Sequence, residues 1–135
     1  MSRSRGRDDS GSIIAGWLLK VALVLSILGV CLFDAISIGT TYTTTEDQGN
    51  SAARAASEAW AENGKDLQRA YDAALNDAND GGATYTIDTK TFTIDSKGTV
   101  HLTIRRTAST IIVRRIGPIR HWAEISHRAE GTYLP

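Results

Sequence analysis

The stretch Trp17–Ile38, WLLKVALVLSILGVCLFDAISI, limits this chain more than any other. No other segment of the 135 residues is apolar enough to cross a bilayer. From Val21 to Ile38 the run reaches about 27 Å at the helical rise of about 1.5 Å per residue, close to a hydrocarbon core. Lys20 at its inner edge can snorkel to the headgroups beside Trp17. Asp34 lies near the other edge, where its carboxylate reaches either water or a partner in the membrane. A signal peptide has the same basic start and apolar core. No small-x-small cleavage site follows the core, because Phe33 and Asp34 interrupt it, so a retained transmembrane helix over 13–38 is expected.

Charge is distributed along the chain in blocks. Residues 1–33 carry a net of +2, residues 34–95 a net of −7, and residues 96–135 a net of +5. Arg3, Arg5 and Arg7 before the span, against the acidic tract after it, predict a cytoplasmic N-terminus and an extracytoplasmic C-terminal domain. Residues 1–12 read as a disordered tail. The acidic and basic tracts either attract each other, within one fold or between subunits, or form two solvated faces. Cys31 is the only cysteine, so an internal disulfide is impossible. Val30 before it argues against a lipid-anchor signal.

After the span, the chain changes period. The Ala-rich run Ser51–Glu62 is strongly helix-forming, and Ile38, Tyr42, Thr45, Ala52, Ala56, Ala59 and Trp60 fall near one stripe. The membrane helix is therefore expected to continue to about Glu62, kinked near Gly39 or Gly49, and to stop at Asn63-Gly64. A second helix is expected over 65–79, burying Leu67, Ala70, Tyr71, Ala74, Leu75 and Ala78. Strands follow over about 84–95, 99–106 and 122–132. TYTIDTK (Thr84–Lys90) and TFTIDSK (Thr91–Lys97) are near-copies seven residues apart. Seven is odd, so an unbroken strand would turn the two apolar pairs to opposite faces; a bend or bulge near Asp88–Lys90 brings both to the core. STIIVRRI (Ser109–Ile116) reads as a short helix capped by Ser109 and ended by Gly117-Pro118. The fold class is α+β, a long helix packed on a small antiparallel sheet, with 39–135 as the extracytoplasmic domain.

Motifs for chemistry are sparse. His101, His121 and His127 sit on separate elements, without the converging ligands that zinc needs. No nucleophile elbow or phosphate loop occurs. No catalytic residue, cofactor or metal ligand is assigned, and an enzyme is not expected. No aromatic platform for stacking bases accompanies Arg105, Arg106, Arg114, Arg115, Arg120 and Arg128 in the sequence, and most of the domain's remaining charge is acidic, which argues against nucleic acid.

Three segments resemble a known family. The span ending in Leu32-Phe33-Asp34, the Ala-rich helix Ser51–Trp60 and the run VHLTIRRTASTIIVRRIGPIRHWAEISHRA (Val100–Ala129) are similar to those of TadE/TadG-like minor pseudopilins of tight-adherence pilus systems. The resemblance implies a pilin-like fold and a role in pilus or secretion-apparatus assembly, through contacts with other subunits in homo- or hetero-oligomers. Processed members carry a glycine before the apolar run and a glutamate five residues after the cut. Here the fifth positions after Gly11 and Gly16 are Gly16 and Val21, so a membrane-retained relative is expected. Asp34 and Tyr42 on the helix, with Arg114 and Arg115, are the expected partner-binding residues. The alternative function is a membrane-anchored module that recognises an envelope ligand through its basic C-terminal face.

Overall fold

The computed structural model describes residues 9–134. Its fold is α+β, as the periodicities predict. Residues 1–8 of the expected tail lie outside the described residues, and Asp9 already belongs to the first helix. That helix, α1 (Asp9–Glu62), runs 54 residues without a break, or about 80 Å. The second, α2, is Leu67–Asn79. A four-stranded antiparallel sheet follows, made of β1 (Thr86–Ile87), β2 (Thr93–Ile94), β3 (Val100–Thr107) and β4 (Glu124–Gly131). A 3-10 helix, Gly117–Ala123, leads into β4.

The first half of α1 is long and apolar enough to cross a membrane. Its side chains from Ile13 to Phe33 are exposed, with Val21 and Val30 partly so. The second half is a layer of the core. GTTYTTT (Gly39–Thr45) has poor intrinsic helix propensity, yet the helix passes through it. Thr40, Thr41, Thr43, Thr44 and Thr45 each return their hydroxyl to a carbonyl three or four residues back, so no side chain competes for backbone outside the helix. Thr41 and Thr45 are buried against the domain.

The stripe that α1 buries differs from the one expected. It runs Asp34, Thr41, Thr45, Gly49, Ala52, Ala53, Ala56 and Ser57. Tyr42 lies outside it and is exposed. Three of its first members are polar, so hydrophobicity alone rotates the stripe toward Tyr42. Small residues then bring the backbones together. Ala52, Ala53 and Ala56 of α1 and Ala70, Ala74 and Ala78 of α2 all belong to the core cluster. Leu67, expected on the buried face, is exposed at the first residue of α2. Asp66 caps that helix, accepting from the N–H groups of Gln68 and Arg69 at 2.9 and 3.2 Å.

Strand β3 is the centre of the sheet. Val100, Leu102 and Ile104 point into the core, while β4 pairs along its whole length on one side. On the other side lie β1 and β2 in succession. Ile87 stands opposite Ile104 and Thr93 opposite His101. The edge therefore advances six residues while β3 advances three. The three extra residues bulge out around Asp88–Thr91, where Asp88 accepts from the N–H groups of Lys90 and Thr91. An odd insertion reverses the side-chain phase, so Tyr85, Ile87 and Phe92 are all buried.

Two glycines set how closely α1 and the sheet approach. A Cβ on Gly131 would lie 2.5 Å from backbone atoms of Ala53 and Arg54. One on Gly49 would lie 2.9 Å from Cγ2 of Ile104. Ser57 ties the far end, donating to the carbonyl of Gly98 at 2.6 Å and accepting from the Tyr133 N–H at 2.8 Å.

Candidate functional site

The structure gathers its most specific polar contacts around Asp34. This carboxylate is only 3% exposed. One oxygen, Oδ1, accepts from the N–H of Ile111 at 2.7 Å. The other, Oδ2, accepts from Ile112 at 2.9 Å and Val113 at 3.1 Å. One helical turn on, Ser37 Oγ donates to the carbonyl of Ser109 at 2.6 Å. A side chain from the apolar half of α1 thus holds a loop 77 residues further along the chain. Sequence reasoning left Asp34 to water or a partner. In the structure both its oxygens are committed to its own chain.

The loop itself departs from expectation. Residues Ser109–Ile116 form turns, not a helix, and the helical segment begins at Gly117-Pro118. Two reasons are physical. Ile111, Ile112 and Val113 are β-branched and helix-poor. Pro118 sits in the first turn of the 3-10 helix, where its missing N–H costs nothing and its fixed φ is preorganised. The Gly-Pro pair therefore starts an element instead of ending one. Ser109 does not cap; the Asp34 carboxylate takes the N–H groups that a cap would have taken.

Arg114 and Arg115 project from this loop and are exposed. Neither makes an ion pair among the described residues. Tyr42 is half exposed on α1, its ring edge-on to His127 at 6.3 Å. So Tyr42, Arg114 and Arg115 all face outward, whereas Asp34 is internal.

The basic C-terminal tract does not form one patch. Arg105 pairs with Asp88 at 3.2 Å. Arg106 lies over the Tyr85 ring at 5.2 Å and donates to another part of it, the hydroxyl, at 3.0 Å. These two arginines border a cleft of about 680 Å³ with Thr86, His121, Glu124 and Ser126. Arg114 and Arg115 do not line it.

The three histidines stay apart. His101 meets Glu130 at 3.1 Å across β3 and β4, His127 meets Tyr42, and His121 lies beside Trp122. No group of three metal-ligating side chains gathers among the described residues. Comparison with protein-family models, curated proteins and solved structures found no match for the chain.

Proposed function

We propose that the chain is a single-pass membrane subunit whose extracytoplasmic domain works through protein–protein contacts in a pilus-like or secretion-like assembly. The observation that carries this reading is the form of α1. Its first half is apolar and uncovered, and its second half is a packed layer of an α+β domain. This is the arrangement implied by the resemblance to minor pseudopilins. In this reading the basic residues before the span keep the N-terminus in the cytoplasm. The uncovered surface of α1 and the exposed Arg114 and Arg115, which make no ion pair among the described residues, supply the contacts, with charge giving specificity more than affinity.

Photo-cross-linkers placed at Leu25 and Tyr42 in intact membranes test it. Adducts larger than the monomer, lost in detergent, are expected. Recovery of monomer alone, under conditions that trap a known membrane oligomer, would sink the proposal. A second reading, an anchored binding module, draws support from the cleft beside Arg105 and Arg106. It requires that Arg105→Gln with Arg106→Gln abolish binding to envelope fractions.

A further inference from the structure

We propose that the loop Ser109–Trp122 is a second membrane contact, lying in the outer lipid interface beside α1. The proposal rests on the reading of α1 as a membrane anchor. Three observations carry it.

The first is position. Asp34 is four residues before Ile38, the end of the apolar run, which is about 6 Å along the helix axis. The amides of Ile111–Val113 bond directly to Asp34. Wherever the outer end of the span meets the headgroups, the loop meets them too, at a depth of about 6 Å. Interfacial amphipathic segments sit about 5–10 Å into the headgroup and acyl boundary.

The second is surface chemistry. Ile111 is 49% exposed, Ile116 43% and Trp122 58%. Ile111 lies beyond the span in sequence, but its amide is bonded to Asp34 within it; Ile116 and Trp122 belong to the same loop. Phe33 and Ile36, which flank Asp34 on α1, are exposed too, so both the helix and the loop it holds present apolar side chains at this height. Arg114, Arg115, Arg120 and His121 alternate with these residues and are exposed as well. Apolar groups with interspersed arginines and a tryptophan match a layer that is hydrocarbon below and phosphate above.

The third is the backbone. Lipid offers no water to satisfy peptide groups, so irregular backbone at membrane depth must satisfy its own donors. Every N–H from Ile111 to Ile116 has an internal acceptor. Asp34 takes the first three. Thr110 Oγ1 takes that of Arg114 at 3.2 Å. The carbonyl of Ile112 takes those of Arg115 at 2.9 Å and Ile116 at 3.3 Å. A solvent-exposed turn has no need to pair six successive donors in this way. In this light Asp34 is a carboxylate kept at membrane depth because it neutralises the dipoles of an inserted turn.

The test uses the full chain with Cys31→Ser, reconstituted in phosphatidylethanolamine–phosphatidylglycerol vesicles. Single cysteines replace Ile111, Ile116, Phe33 and Lys97 in turn, each carrying an environment-sensitive fluorophore. The Ile111→Cys and Ile116→Cys probes are expected to emit at shorter wavelength than Lys97→Cys. They should be quenched by a shallow lipid-borne nitroxide and be several-fold less sensitive to aqueous iodide. Quenching of both by iodide alone, with Phe33→Cys quenched from lipid, overturns the loop's insertion and leaves the anchor intact. Iodide quenching of Phe33→Cys overturns the anchor and the loop together. Shielding of the loop probes from both quenchers means that protein covers it, which also overturns the proposal. The nitroxide signal should grow with phosphatidylglycerol content and lose that dependence in Arg114→Gln/Arg115→Gln/Arg120→Gln. Its persistence there overturns the role given to the arginines.

Discussion

Asp34→Asn and Asp34→Ala separate the hold on the loop from the rest of the fold. The native carboxylate divides three amide donors between its oxygens, one on Oδ1 and two on Oδ2. Asparagine keeps one carbonyl oxygen and turns the other position into a donor. With that oxygen in the Oδ2 position, two bonds survive and the side-chain NH2 faces the N–H of Ile111. In the reverse orientation one bond survives. Alanine keeps none. A hydrogen bond to a charged acceptor shifts an opening equilibrium by about tenfold or more. Amide protection over Ile111–Val113 should therefore fall by about tenfold or more in Asp34→Asn. In Asp34→Ala, which strands all three donors, it should fall by about a hundredfold or more. Hydrogen exchange on the full chain in micelles, read at these amides, makes the measurement. The Leu102 amide in the central strand serves as the control, because local opening of the loop leaves the sheet paired. Equal protection of the loop in all three proteins would refute the clamp. So would an equal loss at Leu102 and the loop, since that describes global unfolding.

Gly131→Ala pushes a methyl group into the backbone of α1, which cannot yield as a side chain can, and should cost about 1–3 kcal/mol in thermal or chemical unfolding. Gly29→Ala, where an added Cβ meets nothing within 4 Å, should change domain stability little by the same measurement. Ser57→Ala removes the acceptor of the Tyr133 N–H and the donor to Gly98. It should cost about 1–2 kcal/mol and raise exchange at Tyr133 before the rest of the core. The Asp95 carboxyl is held below its ordinary value of 3.8, first by the Thr99 N–H and, against partial desolvation, by the Lys97 N–H and nearby His101 and Lys97. Because the folded value is the lower one, its contribution is present above the unfolded value near 3.8 and is lost as pH falls through the folded one. A carboxyl titration followed by NMR should give an Asp95 midpoint below that of an unfolded peptide. An equal or higher midpoint would contradict the turn geometry.

The order of helices and strands was legible because each carries its own period. Alanines at 52, 56, 70, 74 and 78 mark helix faces, and alternation from Val100 to Ile104 marks the central strand. The odd spacing of TYTIDTK and TFTIDSK allows both apolar pairs to reach the core only through a bend or bulge near Asp88–Lys90, and a bulge is present at Asp88–Thr91. What failed to show was polar burial. Thr41 and Thr45 are buried with their hydroxyls satisfied within the helix; the expected stripe includes Thr45, but hydropathy passes over Thr41 for its neighbour Tyr42. The same blindness hid Asp34. Its partners are peptide N–H groups, which every residue carries, and they lie 77 to 79 positions away. The one available hint was a carboxylate inside an apolar run combined with the β-branched run Ile111–Val113, which is a poor helix former. The loop was misread for a related reason: Ser before an apolar run followed by Gly-Pro looks like a complete helix. Here a remote side chain supplies the cap, and the proline opens the next element.

A lone transmembrane helix fixes where a domain is tethered but leaves it free to spin about the helix axis. The attachment of the Ser109–Trp122 loop to one side of α1 changes that symmetry. An apolar, arginine-bearing projection held off the axis acts as a keel. Turning α1 by one residue, about 100°, would swing Ile111 and Ile116 around the helix with the rest of the domain. Seated against a neighbouring helix or at a bilayer defect, the projection would give the domain a preferred azimuth. The two clamps, Asp34 below and Ser57 above, carry that heading from the loop to the far end of the domain.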